Sequence, residues 1–338
     1  MTPTQVRAPG PISAEPEARR DLAAALDTGD RIFRNVLKGS GVTVLGIMSL
    51  VGLFLTMRAA SALKKAGFGF LTTQAWEPDS GHFGIAAVLI GTILIALVAI
   101  TVALPLSVGT ALYISEYAPR RLQRTLISLV DLMAAVPSVV YGLWGFFFLQ
   151  GQVVGLARWI SDYFGWFPLL HVNGAEKNSA LLQPSLYTSS AFIAGLVVGL
   201  MVTPIACSVM RETFMQAPAG EREAAFALGS TRWGMIRAVV LPFGKGGIIG
   251  GIMLALGRAL GETIAVYMII SVVFAIQPHI VQAGASQISS LIALRYGEAT
   301  AFGTSALMAA GLALFLMTLV INFAASSVVA RSRSGAET

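Results

Sequence analysis

Two ionisable side chains, Arg258 and Glu262, lie within a stretch of sequence that is otherwise apolar. No other charged residue occurs between positions 246 and 274. In an α-helix, residues four apart lie on the same face, one turn from each other. A charged group at the centre of a bilayer costs about 2.5–3.5 kcal/mol on insertion scales, and such groups are commonly paired or line an aqueous path. The spacing therefore predicts a functional pair inside a membrane span.

Two interpretations of this pair remain open. In the first, Arg258 offers a planar fork of donors that suits phosphate-type oxyanions, and Glu262 either holds the guanidinium or repels the anion onward. In the second, the two charges only neutralise each other at a packed interface. Both interpretations allow close helix packing, for which small residues four apart are the signature. The span carries such residues at Gly247, Gly251, Gly257 and Gly261.

Prolines inside apolar segments mark weaker candidates for the same pathway. Pro137 and Pro204 each lie within such a segment. A proline within a membrane helix frees carbonyl groups and bends the helix, often beside a cavity. Hydroxyl groups near these bends, and next to Glu262, can line a pathway or can serve only as packing contacts. The candidates are Ser138, Tyr141, Thr203 and Thr263.

A polar segment between two apolar runs has the pattern of a helix, a glycine and a second helix. It contains Glu221 in the first turn, an alanine-rich run, and Gly229, which favours a helix C-terminus. The second short helix is predicted to begin near Ser230 and to end before Leu241-Pro242. Small side chains at helical spacing suit insertion into a groove on a partner protein. The predicted contact face comprises Ala224, Ala225 and Leu228.

The elements that must position these motifs are apolar runs of membrane-spanning length. The 338 residues are 55% hydrophobic and 12% charged, whereas soluble domains carry about 25% charged residues. Runs of about 20 apolar residues cross a bilayer as helices. The sequence therefore predicts an all-α membrane protein with six transmembrane helices. The predicted spans are Gly41–Met57, Gly84–Ile114, Leu126–Leu149, Ser190–Met210, Gly246–Phe274 and Thr304–Val329.

The distribution of Lys and Arg predicts the orientation of these spans. With the N-terminus inside, sixteen of the 23 cations fall on the cytoplasmic side, six fall outside, and Arg258 lies within a span. Because cytoplasmic loops are enriched in Lys and Arg, both termini are predicted to be cytoplasmic, N-in/C-in. The predicted divisions are a polar cytoplasmic N-terminal tail over 1–38, a transmembrane permease domain over 39–331 with a cytoplasmic coupling loop at 211–246, and a cytoplasmic C-terminal tail over 332–338.

Two stretches fit the scheme of six spans less well. Residues 152–172 combine aromatic side chains with scattered charges, and they are predicted to lie as an amphipathic segment at the external interface. Residues 268–282 contain Gln277 and Pro278 near the end of the fifth span. This second segment can either leave the membrane or dip back into it as a re-entrant segment.

Several kinds of site are excluded by what the sequence lacks. The single cysteine, Cys207, allows neither a disulfide nor a cysteine-based metal site within one chain. The three histidines have no ligand spacing, so no metal and no cofactor are predicted. Gly244-Lys245-Gly246 lacks the glycine spacing and the hydroxyl of a phosphate-binding loop. If ATP powers transport, it is hydrolysed on another polypeptide, and this chain is predicted to be a non-catalytic subunit.

The polar segment and several apolar motifs resemble those of a known family. Glu223-Ala224-Ala225, Gly229 and Val239-Val240-Leu241-Pro242 resemble the EAA signature of ABC importer permeases, with Val239 where isoleucine is usual. Other motifs are similar to the PstC family of phosphate importer permeases, and the resemblance covers about residues 30–330. These motifs are Ala75-Trp76-Glu77-Pro78, Leu104-Pro105-Leu106-Ser107-Val108-Gly109, residues 113–119, residues 136–142 and residues 257–263.

The resemblance implies a type I ABC importer permease that moves phosphate across the bacterial inner membrane by alternating access. In that family the EAA loop docks onto a separate ATPase, and residues matching Arg258 and Glu262 are needed for phosphate passage. The implied partners are a PstA-type permease, a PstB-type ATPase dimer and a PstS-type phosphate-binding protein. The implied docking residues are Glu223, Ala224, Ala225, Leu228, Gly229, Leu241 and Pro242.

The sequence also bears on three other functions. The first keeps the ABC importer assignment and changes the cargo to sulfate, molybdate or phosphonate. A secondary transporter would show inverted repeats and broken helices in both halves, whereas the charged motif occurs in the fifth span only. An intramembrane enzyme would need a motif such as His-Glu-x-x-His, which the sequence lacks. The importer of another oxyanion and the secondary transporter therefore remain the alternatives.

Overall fold

The protein, seen in a computed structural model, is built almost entirely from helices. The structure describes residues 28–175 and 183–334. Within these residues, β1 (Trp76–Glu77) and β2 (His82–Phe83) form a small antiparallel hairpin. The α-helices are α1 (Thr28–Ala66), α2 (Gly69–Thr72), α3 (Ala86–Leu112), α4 (Arg120–Ala135), α5 (Ser138–Trp144), α6 (Gln150–Phe164), α7 (Ala191–Met215), α8 (Ala219–Ala227), α9 (Arg232–Met235), α10 (Leu241–Gly261), α11 (Ile264–Ile269), α12 (Ile288–Arg295) and α13 (Ala301–Ser334). Three π-helical turns lie at Tyr113–Tyr117, Gly145–Leu149 and Ile236–Val240.

Six helical stretches in the described residues are long and apolar enough to cross a bilayer. Their number confirms the six spans predicted from the sequence, although the boundaries differ, most of all for the first, third and fifth spans. The stretches are Thr28–Ala66, Ala86–Tyr117, Ser138–Phe164, Ala191–Met215, Arg232–Gly261 and Ala301–Ala324.

The predicted tails differ from the helix ends. The first helix begins at Thr28, within the predicted N-terminal tail of residues 1–38. The last helix extends to Ser334, three residues past the predicted end of the permease domain. The remaining parts of the two predicted tails, residues 1–27 and 335–338, lie outside the described residues.

The chain divides into two compact units, residues 1–51 and 52–338. In the described part of the first unit, every side chain from Thr28 to Val51 is exposed. Many of these side chains are large and apolar, including Val42 and Leu45. An apolar helix of this kind fits a lipid environment.

The third span begins later than predicted, because Pro137 interrupts the helix. Val136 is extended, as expected for a residue that precedes proline. The prediction of a span over 126–149 is therefore wrong: α4 is a separate amphipathic helix, and the span runs from Ser138 to Phe164. For the same reason, residues 152–164 are not a separate interfacial segment but the second half of this span. The π-helical turn at Gly145–Leu149 joins the two halves without a break.

The fifth span begins and ends earlier than predicted. Helix α9, the π-helical turn and α10 follow one another directly, so the second short helix of the polar loop does not end before Leu241-Pro242. Pro242 is the second residue of α10 and directly follows the π-helical turn, where the regular α-helical hydrogen-bond pattern is shifted. The helix ends at Gly261, well before the predicted Phe274. After α11, residues 270–287 are irregular.

The irregular segment after α11 is packed inside the second unit. Val281 and Ile280 are buried, and its backbone is paired: the Ile280 amide donates to Leu169 and the Ala283 amide donates to Leu186. Non-helical backbone at membrane depth is tolerated only where its polar groups are satisfied inside protein or beside water. These bonds explain how the chain can leave the helical state here.

The largest core of the second unit surrounds α7. This helix packs against α3, α10, α4 and α11, and its buried side chains include Ile193, Met210 and Phe214. A second core joins the last turns of α1 to the hairpin, α12 and α13 through Ala62, Phe83 and others. Helix α7 is thus the central support for the elements that carry both candidate sites.

Candidate functional site

Arg258 lines an open groove between α7, α10 and α13. The groove has a volume of about 660 Å³, and the Arg258 side chain is exposed in it. Among the lining residues, Arg258 is the one charge and Asn322 is the one amide. A guanidinium and an amide both donate hydrogen bonds, so this groove offers donors to an anion. The other lining residues are Ile205, Gly250, Met253, Leu254 and Gly257.

Glu262 does not pair with Arg258, and the predicted stacking of the two on one helix face is wrong. The helix ends at Gly261, and Glu262 has an extended backbone. Its buried carboxylate accepts a hydrogen bond of 3.3 Å from the Ala265 amide in the first turn of α11. The described residues contain no ion pair between Arg258 and Glu262. Because the chain leaves the helix before Glu262, the four-residue spacing no longer brings the two side chains together.

Polar side chains from the start of α12 support the backbone around Glu262. Ser289 Oγ donates to the Glu262 carbonyl at 2.8 Å, and Gln287 Nε2 donates to the Leu260 carbonyl at 3.4 Å. Ser290 Oγ donates to the Thr263 carbonyl at 3.3 Å. Carbonyl groups at the end of a helix have lost their helical partners and need such donors when buried. The network therefore fixes the helix break within the protein.

The weaker pathway candidates do not line the groove with Arg258. Thr203 Oγ1 donates to the Gly199 carbonyl in its own helix, and Tyr141 Oη donates to the Met133 carbonyl across the Pro137 break. Thr263 Oγ1 donates to the Gly261 carbonyl. These three hydroxyls already have backbone partners, which favours a packing role. Ser138 is half-buried at the start of α5.

The four glycines of the fifth span fall into two groups. A Cβ atom at Gly247 would collide with the Thr213 side chain, and one at Gly251 would collide with α7 near the Ala206 carbonyl. These two glycines allow α10 to pack closely on α7, as the small-residue spacing predicts. Nothing lies within 4 Å of a Cβ placed at Gly257 or Gly261. For these two positions the packing role stays a prediction, because nothing in the described residues meets a side chain placed there.

The polar loop folds as the predicted helix and glycine turn. Gly229 has φ +83°, and the Ser230 amide donates to the Ala225 carbonyl, which is the pattern of a Schellman C-cap. Thr231 then begins the next helix, because its Oγ1 accepts a hydrogen bond from the Gly234 amide at 3.1 Å. The loop is therefore an ordered knob with defined ends.

The exposed face of this knob differs in one residue from the prediction. Glu223 and Ala224 are exposed on α8, and Leu228 is 87% exposed. Ala225 is half-buried and packs against the main core, so it does not share their face. A large apolar side chain that is exposed beside small ones marks a surface suited to a partner. Leu241 packs against the core, while Pro242 is exposed.

Three features of these regions were not predicted from the sequence. Asn322 lines the groove from α13, and a lone amide in an apolar span was the available signal. Arg222 of α8 pairs with Glu116, 106 positions earlier in the chain. The Arg232 guanidinium lies 5.4 Å from the centre of the Tyr117 ring. Sequence spacing carries no signal for the last two contacts.

The described residues contain no group of three or more His, Cys, Asp or Glu side chains that could hold a metal ion. His171 and His279, which are far apart in the sequence, do come together with ring centres 5.8 Å apart. Burial lowers the pKa of His279, and the neighbouring His171 lowers it further. The two rings pack edge to face.

Comparison with known proteins identifies the family. Residues 103–334 match the model of the family described as "Binding-protein-dependent transport system inner membrane component". The chain is 35% identical over 311 residues to "Phosphate transport system permease protein PstC 2" of Mycobacterium bovis, covering 91% of this chain and 94% of the relative. It is 36% identical over 314 residues to the PstC protein of Mesorhizobium japonicum, covering 91% and 92%.

Solved structures support the same fold. The permease of the MetNI methionine ABC transporter, in an inward-facing form, matches with a TM-score of 0.51 at 14% identity, covering 73% of this chain and 95% of that one. A bacterial ABC transporter for the acidic polysaccharide alginate matches with a TM-score of 0.51 at 17% identity, covering 89% and 99%. Such low identities establish only the shared type I permease architecture. The chain therefore belongs to the binding-protein-dependent transport system inner membrane component family, in its PstC branch.

Proposed function

We propose that this chain is the permease subunit of an ATP-driven importer of inorganic phosphate in the bacterial inner membrane. The observation that carries the proposal is its identity of about 35% to phosphate transport system permeases over nearly the whole of both chains. The groove and the exposed loop knob support it, because they supply an anion-binding surface and a docking surface. The chain itself is a transmembrane subunit, and ATP hydrolysis belongs to partner subunits.

Arg258 is the residue that meets the substrate in this proposal. Its guanidinium is exposed in a groove whose other lining residues are apolar except for Asn322. In low-dielectric surroundings a charge-assisted hydrogen bond to an oxyanion is strong. Glu262 acts indirectly, because its carboxylate accepts a hydrogen bond from the first turn of α11 and so holds that turn next to the end of α10. Alternating access then exposes the groove to one side of the membrane at a time.

The loop knob couples this movement to ATP in the proposal. Both termini and the knob lie on the cytoplasmic side, as the excess of Lys and Arg in these segments supports. Glu223, Ala224 and Leu228 face the ATPase. The proposed assembly contains a PstA-type permease beside this chain, a PstB-type ATPase dimer below it and a PstS-type phosphate-binding protein outside.

The experiment that tests the proposal is uptake by the reconstituted complex. The chain is co-expressed with the permease, ATPase and binding-protein partners, and ATP-dependent uptake of radiolabelled phosphate into vesicles is measured. We expect saturable uptake that needs all partners and that excess sulfate, molybdate or phosphonate does not reduce. Complete competition by one of those anions, with weak competition by unlabelled phosphate, would reassign the substrate. Uptake that continues without the ATPase would indicate a secondary transporter.

A further inference from the structure

A buried ion pair connects the loop knob to the membrane helices on the side away from the docking face. Glu116 lies in the π-helical turn at the end of the second span, and Arg222 lies in α8. Arg222 Nη1 is 3.1 Å and 3.2 Å from the two carboxylate oxygens of Glu116. The Glu116 side chain is 4% exposed and the Arg222 side chain is 21% exposed. The pair is therefore mostly removed from water.

Arg222 also contacts a third element. Its Nη2 donates to the carbonyl of Phe214, in the last turn of α7. One guanidinium thus bridges the end of the second span, the end of the fourth span and the docking helix. Carbonyls in the last turn of a helix lack helical partners and carry the negative end of the helix dipole, so a cation is well placed there.

A neighbouring contact joins the same π-helical turn to the next part of the loop. The Arg232 guanidinium lies over the ring of Tyr117, the residue after Glu116. Helix α9, which carries Arg232, continues into the fifth span. The turn at Tyr113–Tyr117 is therefore held by cations from both halves of the loop. Single π-helical turns within α-helices occur frequently at functional sites.

We propose that the Glu116–Arg222 pair, with the Phe214 carbonyl, is the joint through which a displacement of the docking helix moves the second and fourth spans together. The proposal rests on the proposed function, since it assumes that an ATPase acts on this loop. Apolar packing is non-directional and allows helices to slide, whereas the charge-assisted hydrogen bonds of Arg222 to Glu116 and to the Phe214 carbonyl are directional. Glu116 and Arg222 are positioning residues, because neither lies on the docking face or in the groove.

The test compares phosphate taken up per ATP hydrolysed by reconstituted complexes that contain single or exchanged charges. The variants are Glu116→Gln, Arg222→Gln, and the exchange of Glu116→Arg with Arg222→Glu. Arg237→Gln is the matched control, because Arg237 is an exposed cation of the same loop with no ion pair in the described residues. Co-purification of the ATPase is measured alongside.

We expect each single variant to retain the ATPase and to hydrolyse ATP while uptake per ATP falls about tenfold, within the range of coupling between distant sites. The charge exchange should recover part of the lost coupling, and the control should behave like the unsubstituted chain. Recovery by exchange is a result that a general loss of stability would not produce.

Two outcomes would contradict the joint. Single variants that couple normally would show that the pair transmits nothing. Single variants and the exchange that all fail to assemble would show that the pair serves only folding, whereas an exchange that alone restores assembly and coupling would support the joint. An unsubstituted complex that does not import phosphate would contradict the proposed function instead, and the two failures are thereby distinguished.

Discussion

Arg258 carries its charge on an exposed face of a membrane helix, and lipid alone would penalise that position. The groove around it is open in the single chain, and its lining is apolar apart from Asn322. A polar surface or water must therefore cover this face in the membrane. The proposed companion permease meets this requirement, since it would close the groove and leave the guanidinium facing a shared pathway.

The substitution Arg258→Gln tests this role. It removes the charge but keeps a hydrogen-bonding side chain. Hydrogen bonds to charged groups contribute about 1.5–3 kcal/mol, so the rate of uptake at low phosphate should fall about 10- to 100-fold. The measurement is the initial rate of ATP-dependent phosphate uptake by the reconstituted complex.

The control for this prediction is Thr203→Val. The Thr203 hydroxyl is already bonded to the Gly199 carbonyl in its own helix, so its loss should leave uptake near normal. Arg258→Lys should give an intermediate rate, because the ammonium keeps the charge but loses the planar fork. Normal uptake by the Arg258→Gln variant would show that the residue does not meet the substrate.

At this scale the sequence predicts the chemistry of single residues better than their contacts. An arginine in an apolar span was sufficient to select Arg258. The partner assigned to it was wrong, because the spacing argument assumes that the helix continues through Glu262. The Glu116–Arg222 pair was missed because pairing of residues 106 positions apart depends on the tertiary fold.

Helices form the next scale, and α10 packs closely against α7. Gly247 and Gly251 face α7 without room for a side chain, while Gly257 faces open space. The same change at two positions of one helix should therefore have opposite effects on stability.

The variants Gly247→Ala and Gly257→Ala test this difference. A methyl group at position 247 would meet the Thr213 side chain and force the helices apart, and overpacking costs about 1–3 kcal/mol. The same methyl at position 257 meets nothing, and alanine favours the helix by about 0.5–1 kcal/mol over glycine. Thermal unfolding of the purified complex in detergent should show a lower midpoint for the first variant only. Equal midpoints would mean that the two helices pack less closely than described.

The sequence predicts the number of membrane-spanning helices correctly, but it does not predict the residues at which they begin and end. Apolar length alone identified six spans. Pro137 was recognised as a bend, yet it ends one helix and begins another, because Val136 takes an extended conformation. Pro242 was expected to end a helix, but it lies inside a continuous helical stretch, directly after a π-helical turn. Whether a proline bends, ends or begins a helix depends on neighbours that the local sequence does not reveal.

At the scale of the whole molecule, the proposed orientation has a direct test that uses the single cysteine. Cys207 is fully buried, so the chain gives a low background to thiol reagents. Ser80 lies in the exposed turn of the hairpin, and Gln216 lies exposed between α7 and α8. The proposal places these two positions on opposite sides of the membrane.

The variants Ser80→Cys and Gln216→Cys are treated in intact spheroplasts with a membrane-impermeant maleimide. We expect labelling of the first variant at once, and labelling of the second only after the membrane is permeabilised. The unsubstituted chain serves as the control and should remain unlabelled in both conditions. The reverse pattern would place the loop knob outside and would contradict an ATPase docking role.

The fifth span is one continuous helical stretch from Arg232 to Gly261, so a tilt at its loop end also moves its other end. Arg258 lies 26 residues from Arg232, which is about 39 Å along the helix at a rise of about 1.5 Å per residue. A tilt of about 5° around the loop end would displace the guanidinium by about 3.4 Å, which is more than the length of its hydrogen bond to an oxyanion. In the proposed mechanism, a small rotation driven at the knob would therefore break the contact between Arg258 and a bound anion. In this proposal, a single tilt of the fifth span would both open the pathway and release the anion from Arg258.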